Sequence, residues 1–298
     1  MTPRGRFPRG GSITRLARSR SVKAGLALLA PLVLCVLAGP FLSGWLPSDF
    51  AAADLELRYS PPGREHPLGT DGLGRDVLAR LVRGARTSLG VGLFATALAA
   101  GVALAVGSLA GYYGGATDAL LSRLIEVVLS FPALFIVLAL LGVDPPALRQ
   151  VSDVARITLV VGLTGWTGMA RYVRAEFLKQ RGAAFVEAAR AAGAGDARII
   201  WRHILPNCLT PLLVSAAFFV AHAVLIEAAI SFLGFGIQPP EPSWGSMLGE
   251  AQEAVSAAWW LALFPGGALF MTVLGANLLG EGLRQSLDPS RGSLSPGR

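Results

Sequence analysis

Two lysines, two cysteines and three histidines are all that this chain of 298 residues carries of those types. The thiols, Cys35 and Cys208, cannot supply a disulfide framework or a cysteine metal site. His66, His203 and His222 are too scattered to suggest a metal cluster from spacing. The only lysines, Lys23 and Lys179, lie in no G-x-x-x-x-G-K-S/T loop, so the usual cradle for nucleotide phosphates is missing. No nucleophile beside a base and no paired carboxylate set stands out, which argues against an enzyme. Charge itself is scarce: Asp, Glu, Lys and Arg make up 15% of residues, against about 25% in an average soluble domain.

What is present is apolar length. Side chains are 53% hydrophobic and the mean hydropathy is +0.55. Uncharged runs cover residues 24–48, 87–117, 127–143, 203–226 and 254–280, each near or beyond the ~20 residues a helix needs to cross the hydrocarbon layer. They are built largely from Ala, Leu, Val and Gly, the small-residue mix that lets membrane helices approach closely. The expectation is an all-α polytopic membrane protein with six transmembrane helices, near 24–46, 88–111, 119–142, 154–174, 206–229 and 257–279. The fourth has the shortest charge-free core, Ile157 to Ala170, bracketed by Arg156 and Arg171, whose long side chains can reach the interfaces.

The formal charge of +7 is unevenly placed. Residues 1–23 form a basic tail with no acid, read as a retained cytoplasmic anchor at the lipid surface rather than a nucleic-acid-binding arm or a cleaved leader. With six spans and the N-terminus inside, 18 of the basic residues fall inside and 8 outside, so both termini, including a tail at 281–298, are expected in the cytoplasm. The extracytoplasmic segment 47–87 has balanced acids and bases. Within it Leu73, Val77, Leu78, Leu81 and Val82 fall at helical spacing, which predicts an amphipathic helix on the outer membrane surface.

Two features could carry function. The first is the inside segment 175–207, which includes EAARAAGAGDARIIWRHILPN from Glu187 to Asn207. Gly193 sits where a helix would stop, Asp196 where a second short helix would be N-capped, and Pro206 at its end. The pattern predicts two short helices projecting as a knob, with Ala188 and Ala189 leaving a face on which another protein can pack; an ordinary hairpin loop between spans is the alternative. The second feature is charge inside the spans, which is expensive there. Glu126 is spaced to pair with Arg123 at i,i+3. His222 and Glu227 fall loosely on one side of the fifth span, facing either a translocation path or a neighbouring helix.

The Glu187-Ala188-Ala189 triplet, followed by Gly193 and then Leu205-Pro206, resembles the EAA loop of binding-protein-dependent ABC importer permeases. The resemblance extends to HPLGTDGLGRDVLARLVRGARTSL (His66 to Leu89), RLIEVVLSFP (Arg123 to Pro132), GWTGMARYVR (Gly165 to Arg174), SFLGFGIQPPEPSWGSML (Ser231 to Leu248) and NLLGEGLRQSLDP (Asn277 to Pro289). It is similar over nearly all its length to the second permease subunit of dipeptide, oligopeptide and nickel importers. Glu281 and Gln285 stand where aspartates are more usual.

The resemblance implies the type I importer permease fold, with a permease core at 88–280. It implies a coupling helix in which Glu187, Ala188, Ala189, Gly193, Leu205 and Pro206 meet a cytoplasmic ATPase. The implied partners are a homologous second permease, one or two ATPase subunits that bind the ATP, and an extracytoplasmic binding protein. This chain would itself hold no cofactor. Peptides are the expected cargo, with a nickel or metal-chelate importer as the alternative. A secondary transporter working without ATP would call for paired broken helices or ion-coordinating acids deep in the membrane.

Overall fold

The computed structural model describes residues 19–38, 50–143 and 150–287. Most of the predicted basic tail, the end of the predicted first span, and the last eleven residues lie outside them. Among the described residues there is no β-strand beyond an isolated bridge between Thr70 and Asp76. Ten helices carry the fold: α1 (Arg20–Ala38), α2 (Val77–Tyr113), α3 (Gly115–Leu129), α4 (Ala133–Gly142), α5 (Asp153–Thr164), α6 (Trp166–Gln180), α7 (Ala184–Ala191), α8 (Leu205–Phe232), α9 (Trp244–Ala251) and α10 (Trp260–Leu287).

The axis of the molecule is α2. Its 37 residues extend about 55 Å at 1.5 Å per residue, well beyond the ~30 Å of hydrocarbon. One face repeats every four residues as Val91, Ala95, Ala99 and Ala103, all fully buried, followed by Gly107 and Gly111. Spacing of four keeps these positions on one stripe, and their small size lets α6 lie close. A Cβ on Gly107 would sit 2.7 Å from the Ala170 carbonyl oxygen, and one on Gly111 would sit 2.5 Å from Phe177 Cβ. The facing side of α6 is Met169, Ala170, Val173 and Phe177. The pairing of α2 with α6 is the most extensive in the chain; α1 lies on α10, and α8 bridges α10 and α2.

Four helical stretches are long and apolar enough to cross a membrane: Arg20–Leu37, Val77–Tyr113, Asp196–Phe232 and Trp260–Ser286. The predicted third span is not one straight helix. It is the pair α3 and α4, bent by 83°, because Pro132 lacks an N–H and drives Phe131 out of the helical region. The predicted fourth span is divided at Gly165 between α5 and α6. There a Cβ would collide with the Phe219 ring, so that ring of α8 occupies the side-chain position. Among the described residues, four helices are therefore long and apolar enough to cross a membrane, or five if the bent pair counts as one span.

Two other expectations are refined. No separate amphipathic helix lies before the second span: Leu73 is in a turn, and Val77 to Val82 are the opening turns of α2, capped by Asp76 accepting from the Ala79 N–H at 2.8 Å. Residues 50–76 instead fold into a compact cap with a single 3-10 turn, Leu55–Leu57. At the other end, α10 continues to Leu287, so residues 281–287 of the expected tail are helical.

Replacing Gly107 or Gly111 by Leu should separate α2 from α6 and cost about 1–3 kcal/mol, as overpacking does. Gly101→Leu is the control, since no atom stands within 4 Å of a Cβ there. Thermal unfolding of the purified protein should show lowered midpoints for the first two variants and none for the third.

Candidate functional site

A short helix, α7, occupies the first half of the segment expected to form the knob, and its local conformation follows from the sequence. Ala183 is extended, α7 begins at Ala184, and Val186 is its one fully buried side chain. Helix α7 ends in a Schellman arrangement: the Gly193 N–H donates to the Arg190 carbonyl and the Ala194 N–H to the Ala189 carbonyl, each at 3.0 Å. Gly193 has φ +80°, the left-handed conformation that side-chain-bearing residues resist. No atom lies within 4 Å of a Cβ there, so conformation rather than crowding demands glycine.

Glu187 and Ala188 are exposed, as are Phe185 and Arg190, while Ala189 is half-buried. The Glu187 carboxylate lies in the first turn of α7, where the helix dipole favours negative charge. It makes no ion pair among the described residues.

The second half of the knob departs from expectation. Asp196 is not an N-cap; Gly195 occupies that position without a side-chain bond, and Asp196 Oδ1 accepts from the Tyr112 hydroxyl at 2.6 Å. Pro206 does not end a short helix either. The turn Asp196–Arg198 runs through a π-helical stretch, Ile199–Ile204, directly into α8. The Leu205 N–H bonds to the Ile200 carbonyl, so the chain widens just before a proline that can donate nothing. Leu205 is half-buried and Pro206 exposed. Beneath the knob, Val186, Ile199 and Ile204 join Tyr112, Trp166, Phe177 and Cys208 in one apolar cluster. Nothing in the sequence pattern marks Tyr112, whose partner is 84 positions away.

The two residues considered for a path are not brought together. His222 is exposed and borders a cavity of about 370 Å3 between α6 and α8, with Gly165, Met169, Tyr172, Ser215 and Phe219. Glu227 is fully buried. It accepts from the Ser88 and Ser231 hydroxyls, both at 2.8 Å. Ser88 Oγ in turn accepts from the Trp244 N–H at 3.2 Å, and Ser231 Oγ from the Ile237 N–H at 3.2 Å. Glu227 thus links α2, α8 and the start of α9, the neighbouring-helix alternative of the sequence reading. Glu126 pairs with Arg123 at 2.9 Å, as its spacing indicated.

One cluster at the opposite end of α2 from the knob escaped sequence reasoning. Arg80, nearly fully buried, contacts Asp71 and Glu250; its Nη2 donates to Glu250 Oε1 at 2.8 Å. Arg75 donates to Asp71 at 2.7 Å and to Glu250 at 2.9 Å. His66 Nδ1 lies 2.8 Å from Asp76 Oδ2, and Trp260 Nε1 donates to the Thr70 carbonyl at 3.1 Å. Two arginines and two carboxylates cancel, so the cap is pinned to α9 without net charge. The equal numbers of acids and bases in 47–87 were the only hint in the sequence, and the fourth member of the cluster is 170 residues further on.

Long apolar helices around a small-residue axis, with a helical knob at one end and a charged cap at the other, define a multi-pass membrane transport component. Residues 103–292 match the family described as the binding-protein-dependent transport system inner membrane component, and the chain belongs to that family. It is 42% identical over 277 residues to a putative peptide transport system permease protein of Brucella suis biovar 1, covering 92% of this chain and 90% of that one. It is 36% identical to a dipeptide transport system permease protein of Alkalihalophilus pseudofirmus, with 92% and 88% covered. It is also 36% identical to an oligopeptide transport system permease protein of Mycobacterium tuberculosis, with 96% of each covered. The fold resembles a chain of the inward-facing MetNI methionine ABC transporter, with a TM-score of 0.56, 20% identity, and 70% of this chain and 97% of that one covered.

Glu227→Ala should strand the two serine hydroxyls and destabilise the protein by about 2 kcal/mol. His222→Ala, at an exposed side chain, should leave stability unchanged. Thermal unfolding of both variants distinguishes the buried link from the cavity wall; equal midpoints for the Glu227 variant and the parent would contradict the assignment.

Proposed function

We propose that this chain is the membrane-spanning permease subunit of an ATP-driven importer for di- or oligopeptides, forming half of the path. The observation that carries the cargo is that relatives 36–42% identical along about nine-tenths of the chain bear peptide, dipeptide or oligopeptide permease names. A second homologous permease completes the path, an extracytoplasmic protein delivers the peptide, and cytoplasmic ATPase subunits bind the nucleotide. Both termini are cytoplasmic, which puts the knob on the ATPase side and the cap outside.

The coupling role belongs to α7. Its exposed Glu187 and Ala188 offer a carboxylate and a flat surface to a partner groove, and Val186 below ties that surface to the inner ends of α2, α6 and α8. A push on α7 therefore reaches the spans through packed side chains rather than through a loose linker. Gly193, Leu205 and Pro206 shape the knob, while Ala189 sits at its base. His222 faces the path through the cavity it borders. The chain is a non-catalytic subunit and supplies no group for hydrolysis.

Gly193→Val meets a positive φ that costs a β-branched residue about 1–3 kcal/mol, whereas Gly193→Asn tolerates it. Uptake of peptide by the assembled complex in vesicles should be lost with Gly193→Val and with Glu187→Lys and largely kept with Gly193→Asn. Crosslinking from Ala188→Cys to the ATPase should fall in parallel. Transport and crosslinking at parental levels in the first two variants would show the knob to be an ordinary loop.

A further inference from the structure

A second cavity, of about 310 Å3, opens between α3 and α6 toward the knob end of the bundle, lined by Ser122, Ile125, Glu126, Leu129, Arg171 and Arg174. Four of its six lining residues are polar or charged, in a segment otherwise apolar enough to count toward a membrane crossing.

The charges differ in how far they are already committed. Arg174 is held by Asp118, with Nη2 donating to Oδ2 at 2.7 Å, and Ser122 Oγ donates to the same carboxylate at 3.2 Å. That wall is prebuilt. Arg171 has no carboxylate at ion-pair distance among the described residues. Among the described residues Glu126 pairs with Arg123 at 2.9 Å, and these side chains are 62% and 78% exposed. An exposed pair of this kind contributes little and exchanges partners readily. The cavity therefore presents one uncommitted cation and one weakly held anion on apolar ground supplied by Ile125 and Leu129.

We propose that this cleft binds the charged ends of a short peptide in transit, Glu126 receiving the α-ammonium group and Arg171 the α-carboxylate. The proposal rests on the peptide-importer reading above. A guanidinium matches a carboxylate with two parallel hydrogen bonds, and a carboxylate accepts from an ammonium group. The volume lies near the lower end of ligand cavities, ~300–1,000 Å3, which suits a dipeptide or the end of a longer chain. The site is distinct from the cavity at His222, whose walls are mainly aromatic and apolar.

The test uses the complete transporter in vesicles of neutral phosphatidylcholine, in a background lacking Cys35 and Cys208. Dipeptide uptake should fall about tenfold with Arg171→Gln or Glu126→Gln, the loss expected of one charge-assisted hydrogen bond. Arg171→Lys should recover most of it. In parallel, modification of Leu129→Cys by a small thiol reagent should be slowed by transported dipeptide. If the parent takes up dipeptide but both glutamine variants match it, and peptide does not protect Cys at 129, the proposal fails while the importer reading stands. Failure of the parent to take up any peptide overturns that reading and the proposal with it. Protection of Cys at 129 by added phosphatidylglycerol rather than peptide assigns the cleft to an anionic lipid headgroup and overturns the proposal.

Discussion

The close seating of α6 in the alanine and glycine stripe of α2 is the contact on which the rest of the chain depends. Lipid tails are as apolar as leucine, so helices in a membrane gain little by hiding apolar surface from each other. They gain by packing. A stripe of Val91, Ala95, Ala99, Ala103, Gly107 and Gly111 lets many weak dispersion contacts form along the shared length. At the knob end this seam widens into the cluster of Tyr112, Phe177, Val186, Ile199 and Ile204, and the knob is built on that cluster. The hydrogen bond from Tyr112 to Asp196 fixes the second half of the knob to the same helix.

The opposite end of α2 is held by different physics. The first two turns carry buried Arg80 and half-exposed Arg83, and the ion pairs they make reach to α9 and the loop before it. Buried charges are tolerable there because each arginine meets a carboxylate, and removing one partner would leave another uncompensated. Just below, Glu227 draws hydroxyls from two helices. Dry packing at one end and satisfied polar clusters at the other make α2, α6 and α8 a firm frame. Open cavities border this frame at His222 and at Arg171.

Much of this frame was legible in the sequence, where its cause was local. Runs without charge mark the long helices because a crossing needs length, and Gly193 marks a helix stop because only glycine takes its φ cheaply. The pair of Arg123 and Glu126 followed from one turn of helix. What failed to show depended on distant partners. Asp196 has the composition of an N-cap, yet Tyr112 claims its carboxylate. Glu227 resembles a path residue in its own helix, and only the fold delivers Ser88. The division at Gly165 is set by Phe219 from another helix, and the long run through residues 127–143 concealed the break at Pro132. Arg80 was read as part of a surface helix because Glu250, which neutralises it, is 170 positions away.

The central claim is that α7 moves with its frame, not on its own. Spin labels at Ala188 on α7 and Ala175 on α6, in the assembled transporter without Cys35 and Cys208, report this as a distance distribution with and without ATP. The account predicts an unchanged intrachain distance between the two states, while the distance from Ala188 to the matching knob of the second permease shortens. A change in the α7 to α6 distance, with the two knobs staying apart, would show that the knob slides on its own chain and would contradict it.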